Sequence, residues 1–175
     1  MFVKDFVGEY ARYRNMAEKA MDQVSDAGLN RVLAPDGNSI AMLARHIGGN
    51  LASRFTDFLV SDGEKPWRDR DSEFADGTLT RTAVDEIWTT GWGVLERELA
   101  TLSDDDLTRT VKIRGADLTV HEALCRSATH TASHVGQIVL LARILADDEW
   151  QWITIPKGQS QQYNQNPAFE KRHVR

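Results

Sequence analysis

The sequence predicts an all-α fold, a four-helix bundle with a small β-hairpin before its last helix, and three observations predict it. Apolar residues recur at three- and four-residue steps through four long segments, the spacing that lines one face of a helix. A polar connector over residues 62–77 separates the second segment from the third. Period-two alternation marks the short stretch Leu107-Thr-Arg-Thr-Val-Lys-Ile113, ahead of the fourth.

The first segment runs from about Val3 to Ser25 with Phe6, Tyr10, Tyr13, Ala17, Ala20 and Val24 on one face, and stops near Ala27-Gly28. The second opens at the capping sequence Asp36-Gly-Asn-Ser39 and carries Ile40, Leu43, Ile47, Leu51, Phe55, Phe58 and Leu59 before Ser61-Asp-Gly63 ends it. A third begins between Thr80 and Asp85, includes Ile87, Trp88, Trp92, Leu95 and Leu99, and closes at Ser103-Asp-Asp-Asp106; Gly91 and Gly93 weaken its middle turn. The turn Arg114-Gly115-Ala116-Asp117 and Leu118-Thr-Val120 complete a hairpin with the alternating stretch. The fourth helix starts at Thr119, an N-cap with Glu122 three residues on, and continues through Leu124, Ala128, Val135, Ile138, Ala142 and Leu145. The tail from Trp150 to Pro156 is apolar and β-prone, and Lys157 to Asn164 is polar. Extended chain covers roughly 3.3 Å per residue against 1.5 Å in a helix, so the connector can return along the whole bundle. It therefore admits an up-down-down-up order as readily as up-down-up-down.

Composition bounds the function. A chain of 175 residues is expected to form one domain, 1–175, with a real core and a tail from residue 150. No apolar run approaches the roughly 20 residues that cross a bilayer, and the N-terminal residues carry acids where a signal peptide would be apolar. The expectation is a cytoplasmic protein with no membrane partner. Cys125 is the sole cysteine, which excludes an intrachain disulfide and a thiolate metal cluster. A net charge of −5 without a long basic run argues against nucleic acid. The partner to expect is a small-molecule substrate, and a homodimer stays open.

The chemistry concentrates at three histidines. His130 and His134 stand at i and i+4, on one helical face with Cβ atoms roughly 5–6 Å apart, and His46 lies on the second segment, from which a facing helix could supply a third nitrogen. Three neutral imidazoles leave a coordination position for water or substrate, whereas structural zinc sites are usually closed by four protein ligands. The neighbours are polar in the same pattern. Ser127, His130, His134 and Gln137 share one stripe of the fourth segment, and His46, Asn50 and Arg54 share one of the second. Gly48 and Gly49 leave room there for another element to approach closely. Asn50, Arg54 and Gln137 are the expected substrate contacts. His121 and His173 read as surface histidines, and Cys125 as a buried inert thiol. Arg54, Lys65, Arg68 and Arg70 could gather an anion, but a solvated loop is the commoner reading of such charges. No Asp or Glu stands beside the histidine pair in sequence to act as general base.

Asn38-Ser-Ile-Ala, His46-Ile-Gly-Gly-Asn50, Ser53-Arg-Phe-Thr-Asp-Phe-Leu59, His130-Thr-Ala-Ser-His134-Val-Gly-Gln137 and Ile155-Pro-Lys-Gly-Gln-Ser160 recur in a known family. So does the connector Asp62-Gly-Glu-Lys-Pro-Trp-Arg-Asp-Arg-Asp-Ser-Glu-Phe74, the most specific of these motifs. Through them the chain resembles, over nearly its whole length, the DinB-like, YfiT-like metal-dependent enzymes and their branch called domain of unknown function 1572. The resemblance implies a four-helix bundle in up-down-down-up order. It also implies a divalent metal, zinc or nickel, held by one histidine of the second helix and a His-x-x-x-His pair of the fourth, at the positions of His46, His130 and His134. Some relatives transfer or isomerise with a low-molecular-weight thiol such as mycothiol or bacillithiol, and others are called hydrolases by analogy. The expectation is thus a metal-dependent hydrolase or thiol-dependent transferase, with a non-catalytic metal-binding or stress-response interaction protein as the alternative.

Overall fold

The computed structural model describes residues 2–146 and 149–167, which form six helices, two 3₁₀ turns and one hairpin. Helix α1, Phe2–Met21, buries Val3, Tyr10, Ala17, Ala20 and Met21 on one stripe. It ends a turn earlier than its apolar spacing suggests. Ser25 accepts a hydrogen bond from the Gly28 backbone N–H and caps a separate short helix, α2, Asp26–Leu29, so the pattern through Val24 is shared by two elements. Helix α3, Ile40–Phe55, starts at Ser39, whose hydroxyl accepts from Met42 N–H. Its stripe outlasts its backbone: Phe58 is buried against the Phe55 ring, centroids 5.0 Å apart, but Thr56 has turned extended and ended the helix, with Asp57 following at φ 51°.

Helix α4, Arg81–Thr101, is capped by Thr80, and a 3₁₀ turn, Asp104–Thr108, follows it. Asp104 accepts from the backbone N–H groups of Phe2 and Val3, tying that turn to the start of α1. The first part of the expected alternating strand is this 3₁₀ turn, because Ser103 and Asp106 close a capping box there. Strand β1, Thr110–Ile113, pairs antiparallel with β2, Ala116–Thr119, across Arg114 and Gly115, both at positive φ as a two-residue hairpin turn requires. Helix α5, Val120–Leu145, opens on the reciprocal Thr119 and Glu122 cap. After it, Trp150 to Pro156 forms no strand despite its composition, and α6, Ser160–Asn164, is a single turn. No helix among the described residues is long and apolar enough to cross a membrane.

Packing is dominated by α3 against α4 and α1 against α5. Arg14 meets Glu96 at 2.6 Å and the Trp88 indole N–H donates to Glu18 at 3.0 Å, joining α1 to α4. Tyr10 donates to the Leu124 carbonyl at 3.4 Å and the Phe6 ring meets His121, joining α1 to α5. The connector retraces α3. Gly63 accepts from Ser53 and Arg54 near the end of that helix, and the carbonyls of Glu73 and Ala75 accept from Arg45, two turns back.

Glycine permits the α3 and α4 backbones to touch. A Cβ on Gly91 would lie 2.3 Å from the Gly48 carbonyl oxygen, and one on Gly48 would lie 2.6 Å from that of Ile87. Neither obstacle is a flexible side chain. Gly91→Ala should therefore destabilise by about 1–3 kcal/mol despite the better helix propensity of alanine, because the crossing must open. Gly136→Ala on α5, where an added Cβ meets nothing within 4 Å, should stabilise by up to ~1 kcal/mol. Denaturant unfolding of both variants checks the contrast, and equal effects would refute the close-crossing account.

Candidate metal centre

His46 points inward from α3 and is 2% exposed, between the buried neighbours Leu43 and Ile47. His130 and His134 reach it from successive turns of α5, each half-buried. The Nε2 atoms of His46 and His134 each lie 3.2 Å from Nε2 of His130, and the three potential ligand nitrogens fall within 4.8 Å of one another. An ion held at roughly 2.0–2.1 Å by imidazoles in tetrahedral directions spaces its nitrogens about 3.3 Å apart. The two 3.2 Å separations fit that demand, and an all-imidazole set suits zinc, copper, iron or nickel better than magnesium or calcium.

A carboxylate stands behind His46. Glu73 comes from the 3₁₀ turn Asp71–Phe74 in the connector, is 5% exposed, and accepts from His46 Nδ1 at 2.8 Å. Because an ionised carboxylate only accepts, Nδ1 carries the proton and the Nε2 lone pair faces the other histidines. Both Glu73 oxygens also accept from Arg68, from Nε and Nη2 at 2.8 Å each, and the Arg68 side chain is only 2% exposed. Burial works to raise the Glu73 pKa, but the hydrogen bonds from His46 and Arg68 outweigh it and hold the group below the usual carboxylate range. Gly49 makes the contact possible: a Cβ there would stand 2.3 Å from Glu73 Oε1. With both oxygens occupied, Glu73 orients a histidine and is poorly placed to take a proton from substrate.

A cavity of about 170 Å³ opens beside His46 and His130, and Asn50, Arg54 and Ser127 line it. Two of the three expected substrate contacts thus face this space. Gln137 does not: it is exposed and outside the lining, and its hydrogen bond with His134 favours the charged imidazole. One stripe of α5 cannot aim all its members at one volume, since the stripe passes the cavity as the helix advances.

Other side chains also depart from their sequence readings. Lys65 and Arg68 are not loop charges in water. Lys65 is buried and donates to Ser61 Oγ at 2.6 Å and the Asp62 carbonyl at 2.5 Å, while Arg68 is taken by Glu73. Cys125 is half-buried with Sγ 3.6 Å from His121 Nε2, and His121 is exposed, as expected. His173 lies outside the described residues. Glu73 and Arg68 are the site residues that periodicity could not find. Their signal was the Pro66-Trp67-Arg68 to Glu73-Phe74 run, the most specific motif of the resemblance and the least regular in pattern.

The His130 pKa is pushed down to about 4, first by burial and then by the charges of His134, His46, Arg68 and Arg54. His134 is lowered by burial and by His46, with its Gln137 hydrogen bond working the other way. Both are therefore neutral near pH 7, the form that can donate to a cation. In the unfolded chain His130 takes up its proton near the ordinary 6.5, while the folded protein resists until about 4. The unfolded state binds more protons in that window, so the metal-free protein should lose stability as pH falls through it. Glu73, with its lowered pKa, adds a loss in the same direction at the acid end. Denaturant midpoints measured from about pH 7 to pH 4.5 should decline steadily, and His130→Gln should flatten the decline; an unchanged slope in the variant rejects the account.

The family described as "Protein of unknown function (DUF1572)" matches residues 1–159. No curated protein matches the sequence. The fold is similar to that of a DinB-like protein from Bacillus cereus ATCC 10987, whose crystal structure superposes with a TM-score of 0.60 at 20% identity, covering 81% of this chain and 91% of that one. At that identity the likeness concerns the fold alone. The chain belongs to the DUF1572 family, and its fold is DinB-like.

Proposed function

We propose that this protein is a metal-dependent enzyme that holds a divalent ion, zinc or nickel, on His46, His130 and His134 and acts on a small molecule, as a hydrolase or as a thiol-dependent transferase. The observation that carries the reading is the convergence of three imidazole nitrogens within 4.8 Å at the wall of a cavity. When bound, such an ion supplies Lewis acidity that lowers the proton affinity of a water or thiol reaching it. The chain supplies the rest. Glu73 fixes the tautomer of His46, burial keeps His130 neutral, and Asn50 and Arg54 offer polar groups to a ligand in the cavity. A cytoplasmic location would give access to reduced thiols.

We also propose the up-down-down-up order. The contacts of Arg14 with Glu96 and Glu18 with Trp88 favour opposed α1 and α4, while Phe6 with His121 and Tyr10 with Leu124 favour aligned α1 and α5. His46 against His130 and Phe55 beside Ala123 on the cavity wall favour opposed α3 and α5. One observation favours the non-catalytic alternative: none of the described residues lining the cavity is an Asp or Glu that could shuttle a proton.

Metal analysis of protein purified without an affinity tag tests the ligand set. His46→Ala, His130→Ala and His134→Ala should each lower bound metal at least tenfold, whereas His121→Ala should not. A full equivalent of metal in the His130→Ala, His134→Ala double variant would sink the assignment. Chelation separates enzyme from structural site. The helices bury a continuous core, so circular dichroism and cooperative unfolding should survive metal removal, with Tm lowered only by the lost binding. Turnover, with or without added thiol, should disappear and return with metal; loss of helicity on chelation would favour a structural ion.

A further inference from the structure

Five arginines line the cavity beside the histidines: Arg54, Arg68, Arg70, Arg114 and Arg126. Among the described residues their guanidiniums pair with two carboxylates, neither in the lining, and a third, Asp62, accepts from the Arg114 backbone N–H at 2.8 Å. Glu64 is shared by Arg54 at 3.1 Å and Arg114 at 2.9 Å, and Glu73 is shared by Arg68 and His46. Five guanidiniums thus face three carboxylates inside a protein whose net charge is −5. Surface charges scatter; these gather from α3, the connector, the hairpin turn and α5 around one small volume. Their crowding is felt at Arg54, whose pKa is lowered by burial, with Arg68 and Arg114 pushing the same way against Glu64.

A second, independent observation concerns Arg68. Its Nε and Nη2 are committed to Glu73, but Nη1 is fully buried and has no hydrogen-bond partner. A charged N–H out of water without an acceptor is costly, and buried polar groups are nearly always satisfied. The missing partner is an acceptor. A guanidinium already locked by a carboxylate is a preorganised donor, and Arg forks suit the oxygens of carboxylate and phosphate.

We propose that this cavity binds a small oxyanion, the carboxylate or phosphate group of the substrate, on Arg68 Nη1 and in the field of Arg54, Arg70, Arg114 and Arg126. That the anion belongs to the substrate rests on the function proposed above; the anion site itself needs no metal. The oxyanion sits next to His46 and His130, so the remainder of the molecule is presented to the histidines. Arg70 and Arg126 are exposed and form no ion pair among the described residues, which makes them the variants to use.

Calorimetric titration of the chelated full-length protein with inorganic phosphate, at constant ionic strength in chloride, tests the site. Saturable binding is expected. Arg70→Gln and Arg126→Gln should each weaken it about five- to tenfold, and Arg97→Gln, on the exposed side of α4 outside the cavity, should leave it unchanged. Displacement of phosphate by succinate would identify a carboxylate as the natural group, and inertness to succinate a phosphoryl group. No saturable binding, or binding indifferent to Arg70 and Arg126, overturns the inference. So does phosphate that binds only after metal is restored and is insensitive to both arginines, because it is then a ligand of the ion. Metal content of the same variants should match wild type. Arg-dependent phosphate binding in a protein that carries no metal as purified and takes none up when zinc or nickel is offered would uphold the anion site and defeat the metal reading alone.

Discussion

A carboxylate that is 5% exposed stays ionised only if it is paired, and Glu73 is paired twice, to the imidazole of His46 and to the fork of Arg68. Much of the site hangs on this contact. It brings the connector back onto α3, where Arg45 holds the carbonyls of Glu73 and Ala75. It sets which nitrogen of His46 carries the proton. It also immobilises Arg68, whose long side chain would otherwise lose much entropy on becoming a binding group. The contact exists because Gly49 leaves its place empty; any larger residue would displace the carboxylate. Removing one partner of such a buried pair leaves an uncompensated charge, so Glu73, Arg68 and His46 form a single unit.

The legible part of the molecule was the part governed by local rules. Helical stripes located α3, α4 and α5, and the Thr119 and Glu122 pair marked the start of α5 to the residue, because a cap is chemistry between neighbours. Spacing also brought the three histidines together, since i and i+4 on one helix leave only the third ligand to tertiary structure. The adjacent glycines read correctly as a place for close approach, with Gly48 against α4 and Gly49 against Glu73.

What stayed hidden depends on partners remote in sequence. Arg68 and Glu73 sit in a run of alternating charges that looks like a solvated loop, and only the return of the connector buries them. Where the first helix breaks is decided by Ser25 capping a new turn, although apolar spacing continues through Val24. Phe58 belongs to the core but not to α3, because burial and helical backbone are separate constraints. Trp150 to Pro156 has strand composition and forms none, since strand formation needs a partner edge. Gln137 shares a stripe with His134, yet the stripe leaves the cavity before reaching it.

Net charge misleads about this site for the same reason. An acidic chain concentrates five guanidiniums around one cavity, and the field there is set by what lies within a Debye length of roughly 8–10 Å rather than by the total. That field opposes a cation on the histidines. Two features offset it: His130 and His134 are neutral donors, and Glu73 places a negative charge directly behind His46. An anion in the cavity would offset it further, since it lies between the arginines and the histidines and attracts both the guanidiniums and the ion. Binding of cation and anion would then be coupled, and linkage requires the coupling to be reciprocal. On this reading the arginines discriminate by charge. A neutral ligand with an acceptor oxygen can pair Arg68 Nη1 but leaves the cation opposed, while an oxyanion removes both costs together.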